Sequence, residues 1–462
     1  MKTPLSVRHG HPAMDAHPEL PIAGPRRYPH WLNRDRVRLY AGGVLLAELL
    51  FIGIYIARMY LQPAASLVPL SQDFSAIWSA AWLAAHGRAA DVGHFNALFA
   101  IQQLAVPGMN LEDGVLLWLY PPSMLLLVLP LGWLPYTLAV VLWLGVTYAL
   151  FAVVIQATVQ RGSAWLCALA FPAAFVTLVV GQTSLFTATI GGLGLLLLNR
   201  RPVWAGICFG ILMMKPQVAI LFPLALLCAG QWRALAAWAA TIAACVALAT
   251  LAFGTESWIA FAHGMHGVYQ VVGAGHAKLA RMPTVFALAA LAGWPTSVAS
   301  SLQLLSAAIA AIAVVYAWRG ACSYALRAAT LACACLLVSP YLYDYDLTWY
   351  GIVIAWYARY ARYAWTHGWR RFDREWLLLL WLTPLAGLAV MPHLSFQFMP
   401  LVTLASLALL VSRIARERRD VPSMPDASDH STDTAFTHQA RTHHRPAYGM
   451  RRTGRPTIGV HR

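Results

Sequence analysis

The chain has 462 residues, of which 59% are hydrophobic and 11% are charged. Soluble domains carry about 25% charged residues, so this composition excludes an ordinary soluble protein. The formal net charge of +15 is compatible with nucleic-acid binding. The basic residues cluster at the ends of apolar segments, however, as anchors beside anionic lipid do. We therefore expect a lipid bilayer as partner and no nucleic acid.

Apolar segments of about 20 residues, the length needed to cross a bilayer, recur along the chain. They predict an all-α polytopic membrane protein with about 11–13 transmembrane helices in residues 37–412. The predicted spans are residues 37–60, 116–133, 136–156, 164–180, 184–198, 203–230, 234–253, 297–318, 325–339, 347–356, 375–391 and 396–412. The distribution of arginines predicts that residues 1–36 and 413–462 are basic cytoplasmic tails, the second disordered.

The same rule places two long loops, residues 61–115 and 254–284, outside the cytoplasm. Asp73 then lies outside and Arg161 inside, so the chain must cross the membrane an odd number of times between them. The sequence predicts two spans there, however, which is an even number. Either residues 116–133 are re-entrant, Arg161 lies outside, or a weak apolar segment near residues 95–106 enters the membrane.

Asp73 is a lone carboxylate just after the first predicted span. A carboxylate at a membrane surface can serve as a general base. Phe74, Ile77 and Trp78 follow helical spacing and predict an amphipathic interfacial helix that starts at Asp73. The alternative is that Asp73 only caps this helix, and the spacing does not separate the two roles.

Lys215 is one of three lysines and lies inside an apolar segment. An ionisable group at such depth needs a partner, a cavity or a helix break, and Pro216 provides a break. If residues 203–230 form a hairpin of half-length helices, Lys215 reaches the outer side, where its ammonium can hold a phosphate. The alternative is a lysine that extends to the lipid headgroups.

Other polar residues sit at turns between the spans. Gln182 either closes a tight turn or hydrogen bonds a sugar hydroxyl, and Tyr120 precedes two prolines that start a span. Tyr343 and Asp344, with Asp346, form an aromatic and acidic turn suited to sugar binding. Two carboxylates alone are weak support for a metal site, and we expect no metal and no other cofactor.

The second outer loop is locally basic through His276, Lys278 and Arg281. These side chains either neutralise a leaving phosphate or contact anionic lipid headgroups.

Several short motifs occur in a characteristic order, and over about residues 38–412 this order resembles glycosyltransferase family 87, a group of GT-C membrane glycosyltransferases. The motifs are Asp73-Phe74, Tyr120-Pro121-Pro122, Gly181-Gln182, Ala205-Gly206, Lys215-Pro216 and Ser339-Pro340. The resemblance implies a GT-C-like fold, an extracytoplasmic active site and a polyprenyl-phosphate sugar as donor. It also implies that Asp73 is the aspartate that family members use in the first outer loop. The chain departs from the family where relatives often carry a histidine after the Ser-Pro turn and an Asn around the Gly-Gln pair.

Under this resemblance, Asp73 removes a proton from an acceptor hydroxyl that attacks the anomeric carbon, which inverts the configuration. Lys215, with Lys278 or Arg281, neutralises the departing polyprenyl phosphate. The expected sugar is a hexose or pentose, mannose-like by preference, and the acceptor a glycolipid or glycan of a bacterial envelope. Two other classes remain open, a transporter or flippase of lipid-linked saccharides and a non-catalytic assembly subunit.

Overall fold

The computed structural model describes residues 30–61, 69–109, 116–273, 278–363, 369–389 and 396–420. Its regular structure within these ranges is helical. The α-helices are α1 (Arg34–Leu61), α2 (Phe74–Ala85), α3 (Phe95–Ala105), α4 (Pro122–Val128), α5 (Tyr136–Val159), α6 (Ala164–Leu169), α7 (Pro172–Val180), α8 (Ser184–Leu197), α9 (Pro202–Leu212), α10 (Pro216–Ala219), α11 (Leu221–Cys228), α12 (Trp232–Phe253), α13 (Glu256–Gly273), α14 (Val285–Leu291), α15 (Thr296–Arg319), α16 (Tyr324–Cys335), α17 (Trp349–Tyr363), α18 (Asp373–Ala389) and α19 (Met399–Asp420). Short 3₁₀ helices cover Ala89–Gly93, Leu129–Trp133, Leu279–Arg281 and Asp344–Thr348.

Five helices of the described chain, α1, α5, α12, α15 and α19, are long and apolar enough to cross a membrane. Six shorter apolar helices of 10–17 residues accompany them. The predicted class, an all-α polytopic membrane protein, is thereby confirmed. The predicted number of 11–13 crossings stays a prediction, because several predicted spans are not single long helices.

Prolines interrupt three of the predicted spans. Pro122, Pro172 and Pro216 each occupy the start of a helix inside such a segment. Proline lacks an amide hydrogen and disfavours helix at the preceding residue, so a new helix begins at each of them. The spans concerned are residues 116–133, 164–180 and 203–230.

The segment that carries Lys215 forms a hairpin, the possibility that the sequence had left open. Gly206 of α9 packs against Ala234 of α12, and Gly210, one turn later, packs against Thr241. Helices α9 and α12 therefore run side by side in the same direction. The chain between them, α10 and α11, must run back, which puts Lys215 at the turn between α9 and α10.

Helix α5 separates the Asp73 end of the protein from the Arg161 end. The Tyr136 hydroxyl, at the start of α5, donates to the Ser71 carbonyl at 3.2 Å, whereas Arg161 directly follows the end of this helix. Residues 116–133 form only α4 and a 3₁₀ turn. A single crossing by α5 would satisfy the parity requirement, and the short helices in residues 116–133 fit the re-entrant alternative, but the crossings in this region stay a prediction.

Helix α2 forms where it was predicted, at Phe74–Ala85, but it does not expose a polar face. Ser75 and Ser79 are fully buried, as are most of its apolar side chains. Trp78 donates from Nε1 to the Leu134 carbonyl at 2.9 Å. The helix packs inside the protein, because its polar residues are small enough to be buried between neighbouring helices.

The last helix extends beyond the predicted boundary at Ser412, as far as Asp420. Arg413 forms a buried ion pair with Asp373 at 2.5 Å, and Glu417 accepts a hydrogen bond from the Ser323 amide. These contacts hold residues 413–419 against the helices, so placing this segment in a disordered tail is wrong. Residues 421–462 lie outside the described chain.

Candidate active site

The backbone around Asp73 is held by the C-terminal end of α7. The Asp73 amide donates to the Val180 carbonyl at 3.0 Å, and the Ser71 amide donates to the Val179 carbonyl at 2.7 Å. The last carbonyls of a helix lack intrahelical partners, so they are free to accept these bonds. Gly181 ends α7 in the left-handed conformation, with φ of 88°, as is common at helix C-termini.

The carboxylate of Asp73 is not used as a helix cap. Asp73 occupies the N-cap position of α2, but its side chain accepts no capping hydrogen bond. Its Oδ2 accepts a hydrogen bond from Nε2 of Gln182 at 2.8 Å. Burial raises the pKa of Asp73 above its ordinary value, while the Gln182 hydrogen bond and the charge of Arg281 oppose this rise. The Asp73 carboxylate thus interacts with two other predicted site residues, Gln182 by a hydrogen bond and Arg281 by its charge.

Arg281 is held beside Asp73 by Asp344. Its Nε and Nη2 donate to the two carboxylate oxygens of Asp344 at 2.9 and 2.8 Å. The Asp344 side chain is buried, whereas that of Arg281 is 27% exposed. Burial disfavours the charge of Arg281, but the bonds with Asp344 outweigh it and raise the pKa of the guanidinium. This bidentate geometry fixes the cation at the accessible edge of the site.

Lys215 is buried and paired with Asp346. Its Nζ lies 2.5 Å from Oδ1 of Asp346, which also accepts from the Ser184 hydroxyl. The Tyr343 amide donates to the other carboxylate oxygen at 3.3 Å. The expected alternative, an ammonium extended to the lipid headgroups, is therefore wrong. The hairpin brings Lys215 to the site, and the Asp346 carboxylate balances the charge of the lysine there.

Tyrosines form the remaining surface of the site. The rings of Tyr343 and Tyr345 stack with centroids 5.5 Å apart, and the Tyr341 ring meets Tyr343 edge-on at 5.4 Å. The Tyr120 hydroxyl lies 2.9 Å from that of Thr183. Aromatic faces combined with a few fixed polar groups are typical of small-ligand sites.

The basic loop is described only in part. Lys278 is exposed and interacts electrostatically with Asp73, whereas the predicted site residue His276 lies outside the described residues. Direct bonds link Asp73 to Gln182 and Arg281 to Asp344, and electrostatic interaction joins the two pairs.

Sequence reasoning missed the roles of Asp346, Ser184 and Tyr345. A signal for Asp346 existed, because a lysine in an apolar segment requires a counter-charge and the chain has few acids. Nothing local marked Ser184, since an isolated serine in an apolar helix has no distinctive spacing. In the described ranges no group of three or more His, Cys, Asp or Glu side chains is arranged to hold a metal ion.

Comparison with known proteins finds a family model that matches part of the chain. The family model described as glycosyltransferase family 87 matches residues 118–340. No curated protein and no solved structure matches the chain. The matched region contains Tyr120, Gln182, Lys215 and Arg281, while Asp73 precedes it and Asp344 follows it. The match supports an enzyme over a transporter or an assembly subunit.

Proposed function

The chain belongs to glycosyltransferase family 87 through residues 118–340 and is a membrane glycosyltransferase, and from this premise we propose that Asp73 is its catalytic base. The observation that supports this most directly is the 2.8 Å hydrogen bond from Gln182 to the Asp73 carboxylate. One oxygen of the carboxylate is fixed by this bond. The other is left to accept a proton from an acceptor hydroxyl.

In the proposed reaction, a hydroxyl oxygen of the acceptor attacks the anomeric carbon of the donor sugar and loses its proton to Asp73. The bond between this carbon and the phosphate oxygen breaks, and the electron pair leaves with a polyprenyl phosphate. A single displacement of this kind inverts the anomeric configuration. The leaving group is already anionic, so it requires a cation and no general acid.

Arg281 is the cation best placed for that phosphate. Asp344 orients its guanidinium but leaves the side chain partly exposed, and arginine binds phosphate oxygens in a bidentate manner. Lys278, also exposed on this side of the site, adds a second positive charge. Lys215 is buried below this surface, where its ion pair with Asp346 holds the hairpin against the segment that carries Tyr343 and Tyr345.

The donor is then a polyprenyl-phosphate sugar, and the acceptor a lipid-linked or envelope glycan. The half-buried ring of Tyr343, backed by the buried Tyr345, offers an aromatic surface to the sugar, for which a mannose-like hexose is the first candidate. The site lies at the end of α5 opposite Arg161, on the extracytoplasmic side if the basic ends of the helices face the cytoplasm. A GT-C-like fold in a bacterial inner membrane fits this arrangement.

The test is Asp73→Asn, assayed in membranes with radiolabelled polyprenyl-phosphate mannose. The amide keeps the shape of the side chain and can still accept from Gln182, but it cannot take a proton. A positioned general base contributes about 10²–10⁴-fold, so kcat should fall by about this factor. Asp91→Asn is the matched control, because Asp91 lies in the same loop and, within the described chain, pairs with the exposed Arg88 and His94. Transfer at the parent rate by Asp73→Asn would refute the assignment.

A further inference from the structure

A cavity lies at the end of the helices opposite Asp73. It has a volume of about 550 Å³ and lies between α1, α5, α6, α17 and α18, within the range of about 300–1,000 Å³ usual for ligand pockets. Its inner wall is apolar and includes Phe151, Ile155, Phe171 and Trp381. Water has few hydrogen-bond partners on such a wall, so the wall favours hydrocarbon.

Three arginines line the same cavity, namely Arg34, Arg161 and Arg374. No aspartate or glutamate is among the lining residues, all of which belong to the described chain. Arg374 donates to the Leu32 carbonyl at 3.0 Å. Within the part of the chain that the structure describes, neither Arg34 nor Arg161 forms an ion pair. The cavity thus combines an apolar wall with an excess of positive charge.

Two of the carboxylates nearby are already engaged, and Asp35, next to Arg34 on α1, does not line the cavity. Glu375 accepts from Trp31 at 2.7 Å and lies 3.0 Å from His30, while Asp373 pairs with Arg413. Arg34 and Arg161 thus have no ion-pair partner in the described fold, and the charge of Arg374 is offset only by its electrostatic interaction with Glu375. The two tails of the chain are themselves rich in arginine, so electrostatics disfavours either of them as the occupant.

Helix α1, which forms one side of the cavity, leaves room for a bound molecule. Of its 28 residues only Ala41 and Glu48 are buried, so the helix packs loosely on the rest of the protein. We propose that the cavity binds one anionic phospholipid from the adjacent leaflet, with an acyl chain along the apolar wall and the phosphate at Arg34, Arg161 and Arg374. Guanidinium groups match phosphate oxygens in geometry and charge, and anionic lipid is attracted to such basic clusters.

The test is native mass spectrometry of the full-length protein in mild detergent, titrated with phosphatidylglycerol. The variant Arg34→Gln/Arg161→Gln removes two charges from the cavity. The control Arg200→Gln/Arg201→Gln removes two charges from exposed positions in the α8–α9 turn, outside the cavity. Each charge-assisted hydrogen bond lost should weaken binding about tenfold. We therefore expect about 100-fold weaker binding to the cavity variant and parent-like binding to the control.

A steric variant gives an independent measurement. Ala358→Phe fills the cavity from α17 without a change of charge and should also displace the lipid. Equal phosphatidylglycerol binding by parent, Arg34→Gln/Arg161→Gln and Ala358→Phe would overturn the proposal. Equal retention of phosphatidylethanolamine by the parent would overturn the requirement for an anionic lipid, and preferential binding of polyprenyl phosphate would overturn the choice of occupant. Because the assay measures no sugar transfer, its result is independent of the role of Asp73.

Discussion

The ammonium of Lys215 and the carboxylate of Asp346 form a buried ion pair, with 2.5 Å between Nζ and Oδ1. The pair joins the turn between α9 and α10 to the 3₁₀ helix Asp344–Thr348. That short helix contains Asp344, the partner of Arg281. The ion pair therefore positions the candidate phosphate ligand through two links, although it does not reach the accessible edge of the site.

Removal of one member of this pair should destabilise the protein strongly. Lys215→Ala leaves the Asp346 carboxylate buried without its counter-charge, and such a change costs about 3–5 kcal/mol of unfolding free energy. The double variant Lys215→Met/Asp346→Leu removes both charges and should recover most of that loss. Thermal unfolding in nanodiscs measures the effect, with the exposed Arg200→Ala as control. If Lys215→Ala unfolds like the parent but binds donor less tightly, the lysine is a phosphate ligand instead.

Loss of the Gln182 hydrogen bond should move the pH dependence of transfer. Burial raises the pKa of Asp73, and the bond from Gln182 lowers it, so Gln182→Ala should raise this pKa further. A base acts only when it is deprotonated. The acidic limb of the profile of kcat/KM against pH, which reports the free enzyme, should therefore shift to higher pH. Gln103→Ala, in the same loop and not bonded to Asp73, is the control, and an unmoved limb in Gln182→Ala would contradict the role of Asp73 as base.

Arg281 should govern binding of the donor more than folding. Arg281→Lys keeps the charge but loses the two-point contact with Asp344, so the cation is no longer oriented. We expect the KM for polyprenyl-phosphate mannose to rise about tenfold in Arg281→Lys, the effect of one lost charge-assisted hydrogen bond, and further in Arg281→Gln.

Removal of the Arg281 charge also takes away an interaction that lowers the pKa of Asp73. The acidic limb should therefore lie at higher pH in Arg281→Gln than in Arg281→Lys. Parent-like KM values in both variants would show that the phosphate is held elsewhere.

The features that sequence reasoning found are those that depend on local chemistry. Apolar composition predicted the helical membrane class, and Pro216 predicted the helix break beside Lys215, because a proline acts on its immediate neighbours. The isolation of Asp73 in an acid-poor chain marked it as a candidate base.

The pairings in the site could not be read from the sequence. Lys215 and Asp346 are 131 positions apart, and Gln182 is 109 positions from Asp73, so only the packing of helices brings them together. Burial of α2 was missed for a related reason. Helical spacing of Phe74, Ile77 and Trp78 identifies an apolar face, but it does not show whether protein covers the small serines opposite.

Gly181 provides the most selective test of how Asp73 is placed. It has a positive φ of 88°, and a Cβ at this position would lie 2.6 Å from the Ser71 carbonyl oxygen. Gly181→Ala should therefore displace the Ser71–Asp73 segment. It should also destabilise the fold by about 1–2 kcal/mol, because alanine disfavours the left-handed conformation. We expect a large fall in kcat, although no group that takes part in the reaction is altered.

Gly230→Ala is the matched control. Gly230 also has a positive φ, of 62°, but the nearest atom to its added Cβ is a tryptophan nitrogen at 3.9 Å. It carries the same backbone strain without a collision, and it lies away from Asp73. Thermal unfolding should shift in both variants, whereas transfer from polyprenyl-phosphate mannose should fall only in Gly181→Ala. Equal activity in the two variants would mean that the Ser71–Asp73 segment does not set the rate.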